Sequence, residues 1–369
     1  MAQQFPPRPR LSELRFVGSI ASGGMGYVEK YALKRGPVER FVAIKRLHPH
    51  LRKDDSFRRM FLDEARLASL ISHPNVVRVI DVWEDELGPA LAMDFIDGCA
   101  LSNVLKFYAS HDNLMPFQFA LSTACDAAVA LHAAHETRDT DGHSLSLIHR
   151  DVSPQNILLS RDSRAFLTDF GVAKALERSS KTATGVVKGK NGYMAPEMLL
   201  FESVDRRADL FSLGVVLFEM LATRRLYEGV QGSWRILNEH SPDIADYRDD
   251  VPPPVVELLF ALLAKNPSDR PKNALEVSQV LRHSLDESVS FVGRIPFSEV
   301  IDELSVITTT PSKNTHGSRR LPYIAALAGL GCVLILLFVL FGGNKNEKVT
   351  PSIQPLVSEE ATGPKPTQT

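Results

Sequence analysis

The feature that most constrains this chain is an apolar run near its C-terminal end. Residues 321–341 contain no charged side chain and are mostly Leu, Ala, Val, Ile and Phe. About 20 such residues in a helix cross a hydrocarbon layer roughly 30 Å thick. A buried core helix is the alternative, but the run lies outside the globular part of the sequence and has nothing to pack against. It therefore predicts one transmembrane helix.

The segments around this run predict its surroundings. Residues 285–320 loosen into Ser, Thr, Pro, Lys and Asn, which is typical of a juxtamembrane linker, and residues 342–369 form a short tail without apolar periodicity. Three cations precede the run closely and two follow it, and this slight excess favours an N-terminal side in the cytoplasm. Residues 1–13 show no secretory signal and are expected to be a cytoplasmic tail.

Composition excludes several classes of protein. The formal net charge of -2 gives no basic field, so a nucleic-acid partner is not expected. Cys99, Cys125 and Cys332 are too scattered for a disulfide framework or a metal cluster. A reducing compartment is the simplest interpretation for the domain that carries the first two. Six histidines show no zinc-type pairing with cysteine and are expected to be structural or surface residues: His48, His50, His73, His111, His132 and His135.

Residues 14–284 alternate apolar segments with short turns, as a packed domain should. Near the start of this domain a glycine-rich turn separates two predicted strands. Glycines allow backbone N–H groups to approach phosphate oxygens closely, although most such turns are structural hairpins. The turn and its flanks are Ile20, Ala21, Ser22, Gly23, Gly24, Met25, Gly26, Tyr27 and Val28.

A lysine and a glutamate downstream are predicted to pair. Ala43 and Lys45 share one face of a strand, because side chains alternate with period two. Glu64 falls on the apolar stripe of the following helix. An unpaired buried charge costs far more than a paired one, so Lys45 is the expected partner of Glu64. The alternative is a helix edge where Glu64 reaches solvent.

Three acidic or amide residues follow in the second half of the domain. Asp151 and Asn156 lie within His149-Arg150-Asp151-Val152-Ser153-Pro154-Gln155-Asn156, and Asp169 begins Asp169-Phe170-Gly171. Asp169 and Asn156 offer hard oxygen ligands for Mg²⁺, and Asp151 could accept a proton from a hydroxyl nucleophile.

Together with Ala195-Pro196-Glu197, Asp209 and Arg270, these motifs resemble the protein kinase family, and bacterial Hanks-type serine/threonine kinases above all. The resemblance implies an α+β, two-lobed fold. Its small lobe, residues 14–94, holds an antiparallel sheet and one helix, and its large lobe, residues 98–284, is mainly helical.

The resemblance also implies roles for single residues. Lys45 would hold the ATP phosphates while Glu64 orients it, Asp151 would be the catalytic base, and Asn156 and Asp169 would bind Mg²⁺. Further ATP-binding positions are the gatekeeper Met93, the hinge residues Asp94, Phe95 and Ile96, and the adenine-sandwiching residues Val28, Ala43 and Leu158. Structural roles fall to Glu197 with Arg270, as a buried ion pair, and to Asp209, which would brace the His149-Arg150 backbone.

The sequence departs from the family pattern at three positions. Ala21 replaces the first glycine of the loop, a mild change if its φ stays negative. Ser153 stands where most serine/threonine kinases carry a lysine that neutralises the transferring phosphate. Lys190 stands where the family usually has a threonine facing that lysine. We hypothesise that Lys190 is catalytic and supplies the missing charge, the alternative being a solvated surface lysine.

The segment between Asp169 and Glu197 resembles an activation loop. Thr182 and Thr184 are candidate phosphorylation sites, because a phosphate there could pair with Arg150 and order the loop.

The sequence thus predicts an ATP- and Mg²⁺-dependent serine/threonine protein kinase. It would act on protein substrates, autophosphorylate in a homodimer, and be held in the inner membrane by a single span, with its kinase domain in the cytoplasm. The alternatives are a membrane-tethered pseudokinase that binds nucleotide or a partner without transfer and, with less support, a tyrosine-directed kinase.

Overall fold

The smaller of two lobes is built on an antiparallel sheet. The computed structural model describes residues 13–170, 191–229 and 231–287. Five strands lie in the order β1-β2-β3-β5-β4, each antiparallel to its neighbour. They are β1 (Leu14–Ser22), β2 (Gly26–Arg35), β3 (Val38–Leu47), β4 (Val79–Asp85) and β5 (Gly88–Asp94).

Helix α1 (Asp55–Ser69) packs on this sheet. It begins where the Asp54 carboxylate accepts the backbone N–H of Ser56 at 2.8 Å, which satisfies one of the unpaired donors of the first turn. Phe61 and Ala65 are buried in one apolar cluster with Leu91 of β5. The predicted small lobe, a sheet with one helix, is confirmed.

Gly98 lies where the chain passes from β5 into the larger lobe. Strand β6 (Gly98–Ala100) pairs with β7 (Ile157–Ser160), which pairs with β8 (Ala165–Leu167). A Cβ on Gly98 would lie 1.8 Å from the Leu159 carbonyl oxygen, so only glycine fits this pairing. Since β7 starts just after Asn156 and β8 ends just before Asp169, this small sheet fixes both ends of the segment that joins those two residues.

The larger lobe is mainly helical, as predicted. Every residue from Ala208 to Ala222 of helix α5 is buried, as expected for a mainly apolar helix that is surrounded by others. Helix α3 packs against both α5 and α8. The described helices of this lobe are α2 (Leu101–Ser110), α3 (Phe117–His135), α4 (Pro196–Leu199), α5 (Arg207–Ala222), α6 (Gly232–Asn238), α7 (Pro253–Leu262) and α8 (Ala274–Glu287).

The loop between α1 and β4 is bonded to the larger lobe. The side chain of Asn75 donates to the Ala165 carbonyl at 2.9 Å, and its backbone carbonyl accepts the Leu167 N–H at 2.8 Å. The Val77 N–H donates to the Leu167 carbonyl at 2.9 Å. This loop therefore continues the small sheet of the larger lobe, although its flanking elements belong to the smaller one.

Within the described ranges no helix is long and apolar enough to span a membrane. The predicted span, residues 321–341, lies outside those ranges, as do the linker beyond residue 287 and the C-terminal tail.

Candidate active site

Lys45, Glu64 and Asp169 form a charged triangle between the lobes. The Lys45 Nζ lies 2.9 Å from Glu64 Oε1 and 2.8 Å from Asp169 Oδ1. Burial alone would lower the pKa of Lys45, but the carboxylates of Asp169 and Glu64 outweigh it and raise that pKa. Burial raises the pKa of Glu64, and Lys45 offsets only part of this effect. The predicted pairing of Lys45 with Glu64 is confirmed, and Asp169 joins it.

The loop that carries Asp151 and Asn156 is held by hydrogen bonds within it. The Asn156 Nδ2 donates to Asp151 Oδ2 and to the Asp151 carbonyl, both at 2.8 Å. The Thr168 N–H donates to the Asn156 carbonyl at 3.0 Å. Asp151 and Asn156 are thus held side by side, and Asn156 is tied to the residue that precedes Asp169.

Asp209, at the start of α5, holds the backbone of the same loop. Its fully buried carboxylate accepts the backbone N–H groups of His149 and Arg150, each at 2.8 Å, and Nε2–H of His135 at 2.8 Å. Burial would raise the pKa of Asp209, but the His135 hydrogen bond and the nearby imidazoles lower it. The predicted bracing role is confirmed.

Two residues of the site have strained backbones. Arg150 has φ of 61° and Asp169 has φ of 58°, in the left-handed region that side chains disfavour. Such strain costs about 1–3 kcal/mol per residue and is concentrated at functional sites. The Asp209 bond to the Arg150 N–H and the Lys45 bond to Asp169 help to hold both conformations.

The glycine-rich turn joins β1 to β2. Gly23 N–H donates to the Gly26 carbonyl at 2.8 Å, and a Cβ on Gly26 would lie 2.2 Å from the Arg46 carbonyl oxygen, so that position needs glycine. Ala21 lies in β1, paired with Val28, and is absent from the described non-glycine residues with positive φ. The alanine is therefore tolerated there, as expected.

An apolar cluster adjoins the charged triangle. It contains residues predicted to surround adenine, and in β3 and β5 Ala43 lies directly opposite Met93. The predicted members of this cluster are Val28, Ala43, Met93, Ile96 and Leu158. Asp94, at the end of β5, lies at its edge, where the Arg78 guanidinium donates to its carboxylate at 3.1 Å. The structure thus brings the predicted adenine residues together.

Lys30 makes a contact at the outer end of this cluster that the sequence did not predict. The Lys30 Nζ lies 4.0 Å from the ring centroids of both Phe41 and Phe95. These cation–ring contacts join β2 and β3 to the hinge, and each is worth about 0.5–2 kcal/mol. Side chains alternate between the two faces of a strand, so Phe41 lies on the same face of β3 as Ala43. This alternation could have indicated that Phe41 lies beside the adenine residues.

Ser153 is 3% exposed, and its hydroxyl has no hydrogen-bond partner among the described residues. Lys190, Thr182 and Thr184 fall in residues 171–190, outside the described ranges.

The structural ion pair of the larger lobe is also confirmed. Arg270 donates to the two carboxylate oxygens of Glu197 at 2.7 and 2.8 Å, and both side chains are almost fully buried. This fork-shaped contact fixes the Ala195-Pro196-Glu197 segment beside α5.

The donor set fits a hard divalent cation. Asp169 offers a carboxylate. The Asn156 Nδ2 donates to Asp151, so the amide oxygen of Asn156 is the atom that can bind the cation. The site combines a lysine between two carboxylates, a hydrogen-bonded Asp and Asn, and a glycine-rich turn beside an apolar cluster. This combination is typical of a nucleotide phosphotransferase site.

The chain belongs to the protein kinase domain family, whose model matches residues 14–285. It is 37% identical to the tyrosine-protein kinase MasK of Myxococcus xanthus over 76% of this chain and 44% of that protein. The serine/threonine-protein kinase PknA of Mycobacterium tuberculosis is 33% identical over 68% of this chain and 56% of its own length. The chain spans about half the length of these curated relatives.

Solved kinase structures share the fold. The crystal structure of the Mycobacterium tuberculosis PknI kinase domain matches with a TM-score of 0.55 and 26% identity, covering 74% of this chain and 96% of that one.

Proposed function

We propose that the chain is an ATP-dependent serine/threonine protein kinase held in the inner membrane. The observation that carries the proposal is Lys45, bonded at once to Glu64 and Asp169, beside an Asp151 that is itself bonded to Asn156. Several relatives at about 30% identity are named as serine/threonine kinases, and this supports serine and threonine as the residues that receive the phosphate.

Each side chain has a definite task in transfer. The Lys45 ammonium binds phosphate oxygens, and its bond to Glu64 holds it in place. Bound Mg²⁺, held by Asp169 and Asn156, would neutralise phosphate charge. The Asp151 carboxylate accepts the proton of the protein hydroxyl as the hydroxyl oxygen bonds to the terminal phosphorus of ATP, and the bond from that phosphorus to the bridging oxygen breaks to release ADP. The hydrogen bond from Asn156 orients the carboxylate.

Lys190 supplies, in this proposal, the cation that Ser153 lacks. Support comes from Ser153 itself, which is small, buried and without a hydrogen-bond partner among the described residues. Phosphate on Thr182 or Thr184 would pair with Arg150 and order the loop for catalysis.

Membrane attachment through residues 321–341 follows from their length and lack of charge. Because ATP is cytoplasmic, the kinase domain belongs on that side. Two copies confined to one membrane would meet readily, which favours autophosphorylation within a homodimer, and other protein substrates would be reached at the membrane.

Tyrosine is the second candidate acceptor, since one relative, MasK, is named a tyrosine-protein kinase and is 37% identical. A pseudokinase is the third reading, favoured by Ser153.

The test is autophosphorylation of the full-length chain in detergent with ATP and Mg²⁺, followed by analysis of the phosphorylated amino acids. Asp151→Asn keeps an oxygen to accept the Asn156 bond but removes the base, so it should lower incorporation by about 10²- to 10⁴-fold. Asp141→Asn, in an exposed surface turn, is the control. Phosphotyrosine alone would support the tyrosine reading, and ATP binding without transfer to itself or to added proteins would support the pseudokinase.

A further inference from the structure

His48, just after β3, is bonded twice to the glycine-rich turn. Its Nε2 lies 2.7 Å from the Gly23 carbonyl oxygen, and its backbone N–H donates to the Met25 carbonyl at 3.1 Å. Since a carbonyl oxygen can only accept, the imidazole must carry its proton on Nε2 and donate. The side chain of His48 therefore fixes the direction of one particular carbonyl in the turn.

That carbonyl points to the outer face of the sheet. Val28 lies opposite Lys45, whose side chain reaches Glu64 and Asp169 on the inner face, and Tyr27 lies opposite Arg46. Neighbouring residues of a strand face opposite ways, so Tyr27 is on the outer face. The His48 ring centroid is 5.8 Å from that of Tyr27, which places the imidazole on the outer face too.

The geometry of the peptide bond then fixes a donor on the inner face. In a trans peptide the C=O of one residue and the N–H of the next point in opposite directions. With the Gly23 carbonyl turned outward to His48, the Gly24 N–H turns inward, toward the side of Lys45. The Gly23 N–H already donates to the Gly26 carbonyl. The space around Gly24 is open, because a Cβ there would meet nothing within 4 Å.

This peptide unit needs an external restraint. It joins two glycines, which have no Cβ and adopt both signs of φ with little cost, so the unit can rotate more easily than others in the turn. A hydrogen bond from a side chain on a neighbouring strand end removes that freedom before the ligand arrives.

We propose that His48 is a positioning residue that aims the Gly24 N–H at a phosphate oxygen of the bound nucleotide. The inference rests on the proposed function and adds to it a residue that touches no ligand. Tyr27 supports the arrangement, because Arg52 donates to its hydroxyl at 2.7 Å and holds the ring beside His48.

The test compares ligands that differ only in phosphate. Dissociation constants of ATP, ADP and adenosine are measured for the full-length chain in detergent and for three variants. His48→Ala should weaken ATP and ADP binding about tenfold, the scale of one charge-assisted hydrogen bond, and adenosine binding less than about twofold. His48→Gln, whose amide can donate to Gly23, should recover most of the loss. His50→Ala removes the neighbouring stacked ring, 5.6 Å from His48, and should bind all three ligands normally.

Equal weakening of adenosine and ATP by His48→Ala would show a general structural role and overturn the inference, as would unchanged ATP binding. In both cases a wild-type chain that binds ATP leaves the proposed function intact. A wild-type chain that binds no ATP would refute both.

Discussion

Nζ of Lys45 lies 2.9 Å from Oε1 of Glu64, and both side chains are largely withdrawn from water. The contact joins the sheet of the small lobe to α1, so the position of the helix and the position of the ammonium depend on each other. Removing the charge from one partner leaves the other buried without full compensation.

Glu64→Gln should lower kcat/KM for ATP by about ten- to a hundredfold, because the amide keeps the size of the side chain but no longer holds the Lys45 ammonium by charge. Steady-state kinetics at several ATP concentrations would measure this. Glu84→Gln is the matched control, since Glu84 pairs with Arg58 at the surface of the same lobe. Equal kinetics for the two variants would contradict the role assigned to Glu64.

Lys190→Ala should reduce turnover at least about tenfold with ATP binding nearly unchanged, since phosphoryl transfer depends on stabilising charge at the transferring group. The double variant Lys190→Ala with Ser153→Lys returns the cation from the other side and should recover much of the rate. Lys181→Ala, in the same segment, is the control. If Lys190→Ala causes no loss of turnover, or a loss that Ser153→Lys does not restore, Lys190 does not supply the charge that Ser153 lacks.

Arg270→Ala should lower the free energy of unfolding by about 3–5 kcal/mol, because it leaves the Glu197 carboxylate buried and unpaired. Urea unfolding followed by circular dichroism would measure the change. Arg235→Ala breaks a partly exposed pair with Glu239, the residue that follows α6, and should cost about 0.3–0.5 kcal/mol from that pair. Similar losses for both variants would mean that the buried pair contributes no more than a surface one.

His149 should make the protein less stable as the pH falls below about 6.5. Its Nε2–H donates to the Thr168 carbonyl and its Nδ1 accepts the Asp151 N–H, an arrangement that only the neutral imidazole can make. Burial lowers the pKa of His149 from its ordinary value of 6.5. Between the two pKa values the unfolded chain binds the proton and the folded chain does not, so acidification favours unfolding.

The melting temperature of the wild type should therefore fall more steeply from pH 7.5 to pH 5.5 than that of His149→Gln, which can donate and accept without titrating. His143→Gln, at an exposed position, should follow the wild type. Parallel curves for wild type and His149→Gln would show that His149 contributes no pH dependence.

The site could be predicted from sequence where a physical rule connected two positions. Period two on β3 and the apolar stripe of α1 were enough to pair Lys45 with Glu64, because a buried charge requires a partner. Asp209 and the Glu197–Arg270 pair came instead from the family resemblance, and the structure supplies the hydrogen bonds that explain them.

Other contacts could not be predicted because they depend on the path of the backbone. His48 was expected to be structural or a surface residue, since nothing in its neighbours shows that the end of β3 passes beside the Gly23 carbonyl. Lys30 lies between two rings, and one of them, Phe95, is far from it in sequence and arrives only through the hinge. Asp169 meets Lys45 across 124 positions of the chain, and no periodicity connects positions so far apart.

The Asn75 loop is bonded to Ala165 and Leu167, and it attaches the small lobe to the larger lobe just after the C-terminal end of α1. A rotation of α1 about this attachment would displace the N-terminal end of the helix more than its C-terminal end. Asp55 lies nine residues beyond Glu64 on α1, about 14 Å at 1.5 Å per residue, and would therefore move farther than Glu64. The contact of Glu64 with Lys45 would thus change less than the position of Asp55.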